Sequence, residues 1–140
     1  MSPTISRDDA RDSVDLNNDA SDGANALSNA QRLLQTGELP AALRAAEVLV
    51  QSDPENDEAL YLLAVSLRYS GNQQGALKTL DRLQAVNPDH ARCFQERGHV
   101  CRAMELNDAA MTAYSRAVEL NPALVSSWQS LADLGREQSS

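Results

Sequence analysis

Between His90 and Met104 the chain reads HARCFQERGHVCRAM, which brings two histidines, two cysteines, a glutamate and three arginines into fifteen residues. Imidazoles and thiolates at suitable spacing bind metals, and a cysteine beside a base is a nucleophile. On a helix, successive residues turn by ~100°, so Cys93, Glu96 and His99 do not share one face in ligand spacing. Cys93 and Cys101 lie eight residues apart, ~12 Å along a helix axis, whereas a disulfide needs Cα atoms ~6 Å apart. Both are expected to be reduced thiols without metal, with Cys101 in the core and the less reactive. Arg92 and Glu96 have the i, i+4 spacing of a helical ion pair. The stretch reads as one helix, and its meaning depends on what the chain repeats around it.

Bulk properties narrow the function classes. The 140 residues carry 20 acidic and 12 basic side chains, a net charge of −8. That balance disfavours non-specific binding to nucleic acid or to an anionic membrane. Apolar residues make up 42% but only five are aromatic, and Ala and Leu dominate, as in helical proteins. No apolar run reaches the ~20 residues of a membrane span. The opening MSPTISRDDA has no signal-peptide core. A cytoplasmic protein is expected, and two cysteines suit a reducing compartment. There is no G-x-S-x-G, H-E-x-x-H, paired C-x-x-C or phosphate-cradling loop, so neither a catalytic constellation nor a cofactor is expected. Residues 1–22 hold six Asp and two Arg, a net of −4, with few large apolar side chains. They are expected to form a disordered acidic leader, a solvated tail or a charged tether.

The remainder is periodic. Pro54, Pro88 and Pro122 follow one another at 34-residue steps, as do Ala42, Ala76 and Ala110, and Ala30, Ala64, Gly98 and Ala132. Ala26, Leu60, Phe94 and Trp128 form a series of rising size, while Gly37 and Gly71 are followed by Glu105 at the third equivalent position. Within a unit, Leu60, Leu63, Ala64 and Leu67 fall on one helical face, and Ala76, Leu77, Leu80 and Leu83 repeat the pattern. Gly71 ends the first helix and Asn87-Pro88 the second. A unit with one apolar stripe per helix cannot bury itself alone, so neighbours must stack.

The period and these residues resemble the tetratricopeptide repeat family over about residues 23–138. The resemblance implies an all-α, right-handed α-solenoid of three helix pairs plus a C-terminal capping helix. The units are 1–22 leader, 23–56, 57–90 and 91–124 repeats, and 125–140 the first helix of a fourth repeat or a cap. Trp128, Leu131 and Ala132 are expected to dock that last helix, with Ser127, Ser130 and Gln138 outward and apolar surface left near Leu134. Phe94, Gly98 and Cys101 are expected to form the buried face of the helix between His90 and Met104.

The resemblance also implies a concave groove lined by the first helices, with a protein or peptide as partner. The groove candidates are Tyr61, Arg68, Tyr69, Arg92, Gln95, His99, Arg102 and Arg136. Arg68, Arg102 and Arg136 hold one position in three helices, a row suited to an acidic or carboxylate-bearing segment. Cations in the last turn of a helix also favour the helix dipole, so the row has a purely structural reading as well. Leu27 and Gln31 stand where chaperone-tail clamps of this family carry Lys and Asn, so that clamp is not expected. The phrases ALYLLAVSLRYSG, HARCFQERGHVCRA and NPALVSSWQSLADL look like the repeat region preceding a sulfotransferase domain in some bacterial proteins. That second resemblance implies an N-terminal accessory module whose catalytic part is absent from this chain.

Overall fold

The computed structural model describes residues 19–139, with side chains from 25 to 138. It contains α1 (Asp19–Gln35), α2 (Leu39–Ser52), α3 (Asp57–Tyr69), α4 (Gln73–Val86), α5 (Ala91–Ala103), α6 (Asn107–Leu120) and α7 (Val125–Ser139), with no strand among the described residues. Of the expected leader, residues 1–18 lie outside the described part and 19–22 belong to α1.

One turn geometry closes α1, α3 and α5 in the same register. After α3, Gly71 adopts φ +88°, its N–H donates to the Arg68 carbonyl at 3.0 Å, and the Asn72 N–H reaches the Leu67 carbonyl at 2.9 Å. These paired bonds satisfy carbonyls that a helix end leaves without partners. Gly37 does the same after α1 at φ +81°. After α5 the bonds persist, but Glu105 holds φ 62°, where a side chain costs ~1 kcal/mol or more. At the other ends, the side chains of Asn56 and Asn72 accept N–H bonds from Ala59 and Gly75, and His90 Nδ1 accepts from Cys93. Each cap satisfies a donor that the first turn leaves open.

Consecutive helices pack against each other, and α1, α3, α5 and α7 also touch in sequence, whereas α2, α4 and α6 make no contact among themselves. The first helices of the repeats therefore form the inner layer of a bent stack. Ala76 and Ala110 are fully buried, as the register requires. Gly98 is needed where it stands: a Cβ there would lie 2.6 Å from Cε1 of Tyr114, whose ring is fully buried. In the preceding repeat the equivalent pair is Ala64 and Leu80, a larger floor under a smaller lid, and both are fully buried.

Three expectations are corrected. Phe94 is only half-buried, with the Arg116 guanidinium 5.9 Å above its ring. Cys93, not Cys101, is the deeper thiol. It is fully buried, its Sγ lies 3.6 Å from the Leu80 carbonyl, and burial pushes its pKa up to about 11. Cys93 is therefore the less reactive of the two. The third correction concerns α7, where Leu131 packs on the core as expected, but the buried contacts are Ser127, Ser130 and Leu134, while Trp128 and Ala132 face outward. The reason is positional. Ser127, Ser130 and Leu134 are one 34-residue step beyond Cys93, Glu96 and Val100, the face that α5 buries against the preceding repeat. Trp128 and Ala132 match Phe94 and Gly98, a face that α5 turns toward its own second helix, and no second helix follows α7 among the described residues.

Candidate partner groove

The inner layer carries the predicted groove residues on α3, α5 and α7. Arg92 on α5 donates through Nη2 to both carboxylate oxygens of Glu58 on α3, at 2.9 and 3.1 Å, and its guanidinium lies 4.5 Å above the Tyr61 ring. Arg68 on α3 donates through Nε and Nη2 to Glu96 on α5, and stacks 4.4 Å from the centre of the Tyr69 ring. Arg102 on α5 reaches Glu137 at 2.8 Å and Asp133 at 4.0 Å on α7, and Arg136 bonds Asp133. Four guanidinium groups thus face four carboxylates, Glu58, Glu96, Asp133 and Glu137. Most of these pairs tie one repeat to the next.

The expected Arg92–Glu96 pair is replaced by these cross-repeat bonds. Glu96 lies on the buried side of α5, 3% exposed, where Arg68 of α3 reaches it. Burial pushes its carboxyl above the usual range, and Arg68 opposes that shift. Glu58 and Arg92 hold the same position in successive repeats with opposite charge, so the sequence itself carries the signal for this pair.

His99 and Gln95 complete the floor. His99 Nδ1 and the Tyr114 hydroxyl share a 2.6 Å hydrogen bond. Burial, with the charges of Arg68 and Arg102 adding to it, lowers the His99 pKa to about 4, so the ring is neutral near pH 7. Gln95 accepts a 2.7 Å bond from the Ser127 hydroxyl. Gln95 therefore ties α5 to α7, and His99 ties it to α6. Tyr69 is exposed and walls a cavity of about 490 Å³ with Leu34, Gln35, Gly37, Leu39 and Val65. No group of three or more His, Cys, Asp or Glu side chains among the described residues is arranged to hold a metal. No helix among them is long and apolar enough to cross a membrane.

A helix-pair stack with a 34-residue period and recurrent small residues at the crossings defines a class. The chain belongs to the tetratricopeptide repeat family, whose models match residues 33–96 and 91–124. It is similar to the uncharacterized protein y4yS of Sinorhizobium fredii, 30% identical over 102 residues that cover 71% of this chain and 56% of that protein. It is 28% identical over 96 residues to the mouse (Mus musculus) DnaJ homolog subfamily C member 3, covering 69% of this chain and 19% of the relative. The chain thus spans less than two thirds of either relative. Among solved structures, the first tetratricopeptide repeat domain of Spaghetti (RPAP3), bound to an HSP90 peptide SRMEEVD, shares the fold. Its TM-score is 0.76 at 17% identity, over 84% of this chain and 94% of that one.

Proposed function

We propose that the chain is a protein-interaction scaffold whose concave face holds an extended, acidic or carboxylate-bearing segment of a partner protein. Tyr61, Arg68, Tyr69, Arg92, Gln95, His99, Arg102 and Arg136 form the contact face. The carrying observation is how the arginines are engaged. Arg92 is 43% exposed and gives Glu58 a single nitrogen, Nη2. A guanidinium has five N–H donors, so this pairing leaves donors for an incoming carboxylate while Glu58 fixes the group's position. The Tyr69 cavity beside Arg68 gives an apolar side chain of the same segment a place to anchor. The peptide on the Spaghetti domain, SRMEEVD, is itself acidic, which supports the partner class.

The experiment selects heptapeptides from a random library on the immobilised chain, with SRMEEVD included, and measures the winners by fluorescence anisotropy. Replacing Arg92 and Arg102 together by Ala should weaken binding at least tenfold, about 1.4 kcal/mol, with little change in melting temperature. Equal affinity in the double variant, or selection of basic peptides, contradicts the reading. A second reading, an accessory module of a sulfotransferase, rests on the repeat phrases ALYLLAVSLRYSG, HARCFQERGHVCRA and NPALVSSWQSLADL alone. The gene sequence flanking these 140 residues decides it.

A further inference from the structure

The inner layer repeats one crevice from junction to junction, and its chemistry changes along the row. Between α1 and α3 it is the cavity of about 490 Å³ walled by Leu34, Leu39, Val65 and Tyr69. One 34-residue step on, between α3 and α5, Leu34, Val65 and Tyr69 become Arg68, His99 and Ala103. A further step, between α5 and α7, gives Arg102, Asp133 and Glu137, where the arginine reaches both carboxylates. The row thus runs from apolar to charged.

Packing explains why the first crevice is hollow and the second is filled. Between α3 and α5 the Arg68 side chain crosses to Glu96 and lies 4.4 Å from the centre of the Tyr69 ring, so the arginine occupies its own crevice. One step earlier, the equivalents of Arg68 and Glu96 are Leu34 and Leu62. Leu62 is buried and offers no charge for a longer side chain to reach, and leucine is shorter than arginine, so the space remains. Tyr69 is exposed and borders both crevices, stacked on Arg68 and lining the cavity. A hollow walled by aliphatic side chains and a ring takes an apolar side chain, whose burial there removes both surfaces from water.

Resting on the acidic partner segment of the preceding section, we propose that this segment is read in two parts. An apolar residue sits in the Tyr69 cavity and a carboxylate sits at Arg102, about four residues apart in extended chain. Leu34, Arg68 and Arg102 are equivalent positions, so the cavity and the Arg102 guanidinium lie level across the inner helices. Packed helices stand ~8–10 Å apart, and α5 lies about one and a half spacings from the crevice between α1 and α3, roughly 12–15 Å. An extended chain advances ~3.3–3.6 Å per residue, which sets the interval. Arg68 stands between the two sites but is held by buried Glu96, so the intervening residues of the segment need no charge.

The test uses the intact chain and synthetic fluorescent peptides carrying a glutamate pair and one leucine, placed between about two and about six residues away on either side. Anisotropy should show one order preferred, with affinity highest near a spacing of about four and roughly tenfold above the peptide with serine in place of leucine. Tyr69→Ala, at an exposed position, should remove that gain and keep the glutamate-dependent binding. Leu34→Gln should do the same from the opposite wall. Arg102→Ala should instead weaken the leucine and serine peptides alike. A leucine that adds nothing, adds equally at every spacing, or keeps its gain in both cavity variants overturns the proposal. With glutamate-dependent binding intact, that result leaves the acidic-segment reading standing. Binding indifferent to the glutamates overturns both. Self-association of the peptide-free chain, seen in sedimentation and abolished by Tyr69→Ala, gives the cavity to a second copy and also overturns the proposal.

Discussion

The junction between the second and third repeats and the junction between the third repeat and α7 use one arginine position in opposite ways. Arg68 and Arg102 are 34 residues apart and end equivalent helices. Arg68 closes on Glu96, whose side chain is buried, and Arg102 closes on Glu137 and Asp133, whose side chains are 51% and 45% exposed. A charge pair at the surface stabilises little, because water and salt compete with it and two long side chains must be ordered. A buried carboxylate that loses its partner is costly, because no water replaces the bond. A row of like residues in a repeat protein is thus not a row of like functions. Arg68, 20% exposed, is tied into the fold, and Arg102, 32% exposed and paired at the surface, is the one the proposed function gives to a ligand.

The largest effect expected follows from that contrast. Arg68→Ala should cost about 3 kcal/mol in urea unfolding, since it strands Glu96, whereas Arg102→Ala should cost under about 0.5 kcal/mol. Equal losses would mean that the buried and the exposed pair stabilise the fold alike. Next comes Gly98→Ala, which should cost about 1–3 kcal/mol because the new methyl meets the Tyr114 ring rather than a flexible chain end. The same unfolding curves check it, and pairing it with Tyr114→Leu, the combination already present at Ala64 and Leu80, should recover part of the loss.

Acid sharpens the comparison at the α7 junction. His99 titrates near 6.5 when unfolded and at about 4 when folded, so the unfolded chain binds the proton first as pH falls. Stability linked to this group is present above pH ~6.5 and declines down to pH ~4. The His90 pKa is lowered too, chiefly by burial, and adds in the same direction. Melting temperatures between those pH values should fall, and His99→Gln should flatten the slope. The smallest effect is a gain: Glu105→Gly should raise stability by about 0.5–1 kcal/mol, because only the glycine fits the left-handed turn without strain. An unchanged melting curve for that variant would mean the third turn differs from the other two.

Much of this was legible in the sequence. The 34-residue step located the helix pairs, the buried alanines and the glycine turns, because those features depend on a backbone geometry that every unit repeats. Even the exception, Glu105, kept its turn. What the period did not convey was direction across repeats. Arg92 and Glu96 are neighbours on one helix, yet each bonds a residue of α3, because α5 lies against α3 and its carboxylate points into that contact. Cys93 is deeper than Cys101 for the same reason, since the face turned toward the preceding repeat is buried twice, under α3 and under α4. The error on α7 was one of analogy. Trp128 matches a core position by count, but a core position needs a second helix, and the face that α7 buries is the serine face.

That one arginine position is structural at one junction and only loosely paired at the next is tested most directly by two double-mutant cycles under the same conditions. One pairs Arg68→Ala with Glu96→Gln and the other Arg102→Ala with Glu137→Gln, each followed by urea unfolding. The account predicts a coupling of about 2 kcal/mol or more for the buried rung and under about 0.5 kcal/mol for the exposed one. Couplings of equal size, or a larger one for Arg102 and Glu137, would contradict it.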